Sequence, residues 1–350
     1  MVRNGRLLEL FLPNPSLTPV QWEMDVTIPR SPFFYIIAAP FTYLPGQGAH
    51  LALMALCSTF DALVVLLIAL FVVQLGGSGR AAVLAALLAG VIPLGLLLAV
   101  SWGIFPTLVA QCLALLTAVL WLMLRPWLAQ RRVWLGWMAV LALAYLAYPT
   151  ALLFFGLSWL VLVALLALRR DAATMPTLVA GIGAALIAFV LFYGWHAPSL
   201  LERTLPALFG NVTEGSVSNE GLSLNDVLKP MWRPLEAQYG RPLLALALGG
   251  VLLALVRWPR RQRVYGWLML LAWCAPYPLL ALIDQYVATL ILKQVLYLLP
   301  PLAILAGLLL GRLAQRPAGG VVAGVLVGWV LWHGLLLELH QMIYAYAQLK

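Results

Sequence analysis

The amino-acid sequence predicts an all-α, polytopic membrane protein with about ten transmembrane helices, an outer interfacial helix and one long outer loop. Of its 350 residues, 64% are hydrophobic and only 9% are charged, and the mean hydropathy is +0.98. About a quarter of the residues of a soluble domain are charged, so this composition excludes that class. Apolar runs of about 20 residues, the length that crosses a bilayer, recur along the chain between short basic or Gly/Pro-containing connections.

The apolar runs predict a single membrane domain in four parts. An outer segment at 1–50 precedes a six-helix block at 51–196, and an outer loop at 197–241 precedes a four-helix block at 242–340. The predicted crossings are 51–75, 80–101, 105–124, 133–149, 150–168, 175–196, 242–257, 264–283, 290–311 and 319–340.

Basic residues are concentrated in alternate connections, and the positive-inside rule assigns these connections to the cytoplasmic side. Asp171 is the single acid among them. The formal net charge of +9 is therefore an orientation signal, and no nucleic-acid partner is predicted. The arginines concerned are Arg80, Arg125, Arg131, Arg132, Arg169, Arg170, Arg257, Arg260, Arg261, Arg263, Arg312 and Arg316.

The opposite side carries one long loop of mixed charge, at 197–241. Loops much longer than about 15 residues are usually functional or disordered. The part NVTEGSVSNEGLSLND is typical of flexible chain, whereas VLKPMWRPLEAQYGRP has the prolines and aromatic residues of an ordered interfacial segment. Because most acidic residues are gathered on this side, any aqueous chemistry is expected there.

The N-terminal segment contains an apolar stretch, SPFFYIIAAPFTYLPG, that is short and interrupted by proline. Since the first predicted crossing has to reach Arg80 on the cytoplasmic side, residues 32–48 are predicted to lie on the outer surface. The alternative is a tilted crossing from the cytoplasm, which Arg3 and Arg6 would favour. If the first arrangement holds, residues 1–31 lie outside, and we expect a missing first helix upstream.

Two ionisable residues within the apolar runs are candidate functional groups, because charge at membrane depth is costly. Asp61 lies about 15 Å into its crossing, near the middle of the bilayer. It fits either a structural hydrogen bond between helices or a proton or ion site. Lys293 lies near the outer surface, where it either extends to the interface or binds a lipid phosphate.

The histidines and cysteines predict no metal site. The three cysteines lie in apolar runs and do not form a disulfide or CxxC pattern, and the four histidines lack ligand spacing. A divalent cation remains an open cofactor, because carboxylates of the outer loops could supply oxygen ligands. The residues are Cys57, Cys112, Cys274, His50, His196, His333 and His340.

The segment WEMDVTIPRSPFFYIIAAPFTYLPGQGAHLALMALCSTFDALVVLLIALFV contains acidic residues, a proline-aromatic helix, a glycine turn and a long membrane helix, in that order. It resembles the first outer loop and following helix of the GT-C superfamily of polytopic glycosyltransferases, which includes protein O-mannosyltransferases and bacterial aminoarabinose transferases. Where that superfamily has a PPL-Y helix, this chain has RSPFFY, with Pro32. The later LKQVLYLLPPLAILAG is similar to a basic-then-LPxLAILAG helix of these relatives.

The resemblance implies transfer of a sugar from a polyprenyl-phosphate carrier to an acceptor at the outer membrane face, with inversion at the anomeric carbon. An acidic residue of the first outer loop would activate the acceptor, and Asp25 is the preferred candidate, with Glu23 as the second. The candidate phosphate-binding cations are Lys293, Arg203, Arg233 and Arg241.

Two other functions remain open. In the superfamily the catalytic acid follows a first membrane helix, and this sequence has none before Asp25. A non-catalytic subunit of a membrane complex is therefore one alternative, and a transporter that uses Asp61 is the other. In each case we expect an integral, multi-pass protein of a bacterial or archaeal cytoplasmic membrane, in contact with membrane lipid.

Overall fold

The computed structural model describes residues 33–92, 105–199, 201–202, 224–256, 264–286 and 293–348. These residues form helices and turns, and no strand occurs among them, which confirms the predicted all-α class. The α-helices are α1 Phe33–Ala38, α2 Gly48–Gln74, α3 Gly79–Val91, α4 Phe105–Leu124, α5 Arg131–Ala147, α6 Pro149–Leu168, α7 Thr174–Leu191, α8 Leu224–Val256, α9 Val264–Cys274, α10 Pro276–Tyr286, α11 Leu299–Leu313 and α12 Pro317–Gln348, with one further turn at Ala197–Ser199.

Eight of the described helical segments are long and apolar enough to cross a membrane, so the chain is an integral, multi-pass membrane protein. The predicted number of ten is not confirmed. The crossing predicted at 80–101 corresponds to α3, which has 13 residues, and residues 93–104 lie outside the described part. The crossing predicted at 133–149 corresponds to α5, which has 17 residues.

Two elements differ from the sequence prediction. The long loop predicted at 197–241 is helical from Leu224, and the same helix continues through a kink at Gly240 to Val256. The crossing predicted at 264–283 is divided at Ala275, because Pro276 cannot donate the hydrogen bond that an uninterrupted helix requires. Proline therefore divides a helix that the hydropathy pattern presents as one crossing, whereas α8 extends through Gly240 into the predicted loop.

A short helical segment forms where the sequence predicts an interfacial helix, and its position at the outer surface remains a prediction. Helix α1 is followed directly by the 3-10 helix Ala39–Tyr43, which has Pro40 at its start. Phe34 of α1 is buried, while Tyr43 is 77% exposed. One side of this segment is therefore buried against the protein, and the other side is exposed.

The contacts divide the chain into two compact units, each of which combines three stretches of sequence. The first unit comprises Met1–Leu56, Leu128–Trp232 and Ala275–Gln294, and the second comprises the remainder. The two units each combine non-consecutive stretches, and the four consecutive parts predicted from the sequence remain a prediction.

In the first unit, α5, α6 and α7 pack together, and α1 contacts α5. The Trp134 indole donates to the carbonyl of Pro176 at 2.9 Å, which ties α5 to α7. Trp137 of α5 packs edge-to-face on Trp159 of α6, with 5.0 Å between ring centroids. Tryptophan side chains thus link these three helices, through a hydrogen bond and through ring packing.

In the second unit, the closest helix pair is α3 and α11, and α12 packs against both. A Cβ atom at Gly307 would lie 2.4 Å from the Cβ of Ala85, and one at Gly311 would lie 2.4 Å from the Cβ of Ala81. Small residues therefore face one another across this pair. Membrane helices commonly achieve close van der Waals contact in this way, because lipid provides no hydrophobic driving force between helices.

Candidate functional site

Three of the six predicted site residues, Asp25, Glu23 and Arg203, lie outside the described residues. Of the other three, Lys293 begins a 3-10 helix, and Arg233 and Arg241 lie on α8. The roles of all six remain predictions. The structure does describe the backbone that carries Lys293 and the surroundings of the two arginines.

Lys293 is the first residue of the 3-10 helix Lys293–Leu298, which leads into α11. From Gln294 onward, every side chain of this 3-10 helix is buried. The Gln294 side chain is 2% exposed, and its Oε1 atom has no hydrogen-bond partner among the described residues. An unpaired buried amide oxygen is costly, so Gln294 can accept a hydrogen bond from a bound hydroxyl group.

Three side chains from three different helices fix the carbonyl groups of this 3-10 helix. Tyr239 of α8 donates its hydroxyl to the carbonyl of Val295. Trp273 of α9 donates its indole N–H to the carbonyl of Tyr297 at 2.8 Å. Gln111 of α4 donates its amide to the carbonyl of Leu296 at 3.4 Å.

This arrangement follows from backbone geometry. A buried carbonyl must find a donor, and a 3-10 helix hydrogen-bonds less favourably than an α-helix. The side-chain donors satisfy these carbonyls and so hold the segment in place. The backbone position of Lys293 is consequently set by the fold.

Arg241 and Arg233 have exposed side chains on α8. The Arg241 guanidinium forms an ion pair with Glu236 at 2.5 Å, and its side chain is 78% exposed. An exposed pair of this kind contributes about 0.2–1 kcal/mol, so a phosphate could replace the carboxylate at little cost. Both arginines are therefore chemically able to bind an anionic headgroup.

The kink of α8 lies between Tyr239 and Arg241. Gly240 has φ +70°, a conformation that L-residues with a side chain rarely adopt, and its Cα faces the His333 imidazole so closely that a Cβ would overlap the ring. The kink thus turns Tyr239 into the core and leaves Arg241 exposed. The sequence analysis did not predict this kink, although the Tyr-Gly-Arg-Pro run in a predicted loop is a turn signal.

Two further buried polar groups of the second unit lack partners among the described residues: the Thr107 hydroxyl and the Gln238 Oε1 atom. Thr107 lies one helical turn before Gln111 on α4, and Gln238 precedes Tyr239 on α8. Each of them therefore lies close in sequence to a residue whose side chain donates a hydrogen bond to the 3-10 helix. They are side chains that sequence reasoning missed, because both lie in segments without any recognised motif.

In the first unit, His196 ends the 3-10 helix Tyr193–His196, which follows α7. Its side chain is 4% exposed, and its Nε2 atom has no hydrogen-bond partner among the described residues. Burial lowers the pKa of His196 below its usual value, because desolvation disfavours the imidazolium. The arginine pattern places this 3-10 helix on the predicted outer side.

No three His, Cys, Asp or Glu side chains in the described part of the chain lie close enough together to bind a metal ion. Asp61 lies near the middle of α2 and is half-buried.

The fold is similar to that of archaeal oligosaccharyltransferase AglB from Archaeoglobus fulgidus, solved in complex with an inhibitory peptide and a dolichol-phosphate. The TM-score is 0.51 at 15% sequence identity, over 91% of this chain and 47% of that chain. Structures of the A. fulgidus oligosaccharyltransferase tethered to an acceptor peptide and in the apo form match with TM-scores of 0.46 and 0.45, at 15% and 16% identity. These cover 91% of this chain and 46% and 48% of theirs.

The likeness to AglB shows a shared fold over 91% of this chain. The chain spans about half the length of the solved chains that it matches. No protein-family model matches the sequence, and no curated protein matches it.

Proposed function

We propose that this protein is a membrane glycosyltransferase that transfers a sugar from a polyprenyl-phosphate carrier to an acceptor at the outer face of a bacterial or archaeal cytoplasmic membrane. The observation that carries the proposal is the fold, which matches AglB over 91% of the chain. That neighbour was solved with a dolichol-phosphate, which is a lipid of the same chemical class as the proposed carrier. The proposed donor is thus a sugar joined to a long isoprenoid through phosphate.

The reaction is an inverting substitution at the anomeric carbon. The acceptor forms a new bond to this carbon from one face, while the bond to the phosphate oxygen breaks on the other. Asp25, or Glu23 in its place, takes the acceptor proton, and the polyprenyl phosphate leaves with the electron pair of the broken bond. A carboxylate in an outer loop is suited to this role because it can act as a general base where lipid-linked donor and aqueous acceptor meet.

The leaving phosphate gains negative charge, so cations held near it stabilise the transition state. Lys293 is the preferred cation, because hydrogen bonds from three helices fix the segment that it begins. Arg233 and Arg241 are exposed on α8, and Arg203 completes the proposed set. A cation on a fixed backbone is favoured, since preorganised charge needs no rearrangement during the reaction.

Transfer by the purified full-length chain tests the proposal directly. The protein, in lipid vesicles, is given polyprenyl-phosphate sugars and a mixture of acceptors, and release of polyprenyl phosphate is measured. Asp25→Asn should lower kcat by about 10²- to 10⁴-fold through loss of the general base. Lys293→Ala should lower kcat by about 10²-fold through loss of charge stabilisation.

Matched controls accompany each substitution. Glu202→Gln removes an exposed carboxylate, and Lys229→Ala removes an exposed lysine of α8; both should leave transfer unchanged. A transfer activity that neither Asp25→Asn nor Lys293→Ala reduces would contradict the proposed roles of these residues.

A further inference from the structure

An elongated apolar groove runs along α6 and α7 in the first unit, with Tyr145 of α5 at one end. Its volume is about 450 Å³. On α6 the lining extends from Leu152 to Val163, a length of about 17 Å at the helical rise of about 1.5 Å per residue. We name it the α6–α7 groove. Its shape is that of a channel along a membrane helix, and it has the volume of a small-molecule site.

Glycine creates the groove. Gly156 of α6 and Gly181 of α7 both line it, and a Cβ atom at either position would meet nothing within 4 Å. These glycines therefore serve no close helix contact, in contrast to Gly183, where a Cβ would lie 2.5 Å from the Met138 sulfur. The absent side chains leave space that the protein itself does not fill.

The groove opens to the bilayer. Trp159 and Thr177 form a buried floor, whereas Leu160, Ile182 and Leu186 are 50–57% exposed along the sides. All five lie in helices of membrane length. A cavity with apolar walls at this depth is filled by hydrocarbon, because polar ligands or water would find no hydrogen-bond partners there.

The predicted outer end of the groove meets the 3-10 helix that contains His196. Tyr193 donates its hydroxyl to the carbonyl of Tyr145 at 2.8 Å, and Gly194 packs on Phe189, a groove residue. His196 packs on Phe192, with 4.8 Å between ring centroids. A buried imidazole whose Nε2 atom has no hydrogen-bond partner in the described part of the chain thus belongs to the segment that closes this end.

We propose that the α6–α7 groove binds the isoprenoid chain of the polyprenyl-phosphate carrier and that His196 hydrogen-bonds its phosphate. The inference rests on the proposed function. An isoprenoid fits better than a saturated acyl chain, because its methyl branches require the widening that Gly156 and Gly181 provide. Tyr145, Trp159 and Phe189 also offer aromatic contacts to its double bonds.

Photocrosslinking tests the groove without requiring catalysis. The full-length protein in phosphatidylcholine vesicles receives a trace of a polyprenyl phosphate with a diazirine in its chain, and labelled peptides are mapped. Labels on α6 and α7 that unlabelled polyprenyl phosphate competes away support the proposal. Labelling of these helices by a diazirine phosphatidylcholine, without competition by polyprenyl phosphate, would assign the groove to bulk lipid and overturn it.

Two variants fill the groove. Gly156→Leu and Gly181→Leu should each lower crosslinking about tenfold, the factor expected when a few methylene groups lose their contacts. Gly136→Leu is the matched control, because Gly136 is an exposed glycine of α5 with open space at its Cβ, and it should label like the wild type. Unchanged labelling in both groove variants would refute the site, and competition on the wild-type protein decides the question if they fail to fold.

The transfer assay separates this inference from the function on which it rests. If the groove holds the chain, long-chain donors should have a lower KM than short-chain donors, and Gly156→Leu should abolish the difference. His196→Leu should raise the KM of donors of every length. Transfer that is independent of chain length in the wild type refutes the groove alone, whereas absence of transfer with every donor refutes the function and leaves the crosslinking result to decide the site.

Discussion

At the scale of single residues, the backbone that carries Lys293 depends on donors far away in the sequence. Gln111 lies 185 positions from Leu296, and Tyr239 lies 56 positions from Val295. Each donor satisfies a carbonyl that the 3-10 geometry leaves without an α-helical partner. These donors therefore couple Val295, Leu296 and Tyr297 to the core of the second unit.

Replacement of Tyr239 by phenylalanine tests this dependence. Tyr239→Phe leaves the buried Val295 carbonyl without its donor, which should lower the free energy of unfolding by about 1–3 kcal/mol. Thermal unfolding in detergent measures the loss. Tyr43→Phe, at a tyrosine that is 77% exposed, should have no effect, and equal melting temperatures for both variants would contradict the proposed role of the hydrogen bond.

His196 should make the stability of the protein sensitive to acid. Because burial lowers its pKa in the folded state, the unfolded chain binds the proton at higher pH. The stability that the folded state gains from a neutral His196 is fully present above the ordinary pKa of 6.5, and this stability is lost as the pH falls below that value. The melting temperature in detergent should therefore decline below about pH 6.5.

The substitution His196→Gln should reduce this decline, since glutamine does not titrate. The exposed His340 provides the control, because His340→Gln should preserve the pH profile of the wild type. A decline of the same size in both variants would assign the acid sensitivity to other groups.

At the scale of elements, the contact of α3 with α11 is set by small residues. At Gly307, an added Cβ would lie 2.4 Å from the Ala85 Cβ and 2.7 Å from its backbone nitrogen. Backbone cannot move aside as a flexible side chain can. The two helices would have to separate, and the loss of packing would extend along both.

Gly307→Ala should accordingly lower stability by about 1–3 kcal/mol, the usual cost of overpacking a close contact. Gly136→Ala is the matched change on an exposed helix face and should raise stability by about 0.5–1 kcal/mol through helix propensity. Chemical denaturation in mixed micelles compares the two. A stabilising effect of Gly307→Ala would show that the helices separate without cost.

At the scale of the whole molecule, the arginine distribution makes a prediction about membrane sidedness. Gln130, between α4 and α5, and Gln315, between α11 and α12, lie in basic connections, whereas Glu202 lies in the long loop. The positive-inside rule assigns the first two to the cytoplasm and the third to the opposite side.

Single cysteines at these three positions test the assignment, in a background where the native cysteines are replaced by alanine. A maleimide that cannot cross membranes should label Glu202→Cys in intact cells. It should label Gln130→Cys and Gln315→Cys only after the membrane is opened. Labelling of Gln130→Cys in intact cells would reverse the orientation and remove the outer-face assignment of the proposed site.

The sequence by itself determined the all-α membrane class, which the structure confirms, and it indicated a resemblance to GT-C glycosyltransferases. Both predictions depend only on short stretches of sequence, because an apolar run of sufficient length must enter lipid and short motifs lie within single segments. The predicted positions of most helices agree with the structure for the same reason. The break at Ala275 and the kink at Gly240 were harder to predict from the sequence. A proline or glycine can end, bend or join helices, according to what packs against it.

Only the tertiary structure decided where distant residues meet. The donors that fix the Lys293–Leu298 segment come from α4, α8 and α9, and no local pattern relates them. The α6–α7 groove likewise exists because Gly156 and Gly181 remain uncovered, whereas Gly307 in a similar sequence context is fully packed. Whether a glycine marks close contact or open space depends on the neighbouring helix, and that information is absent from the segment itself.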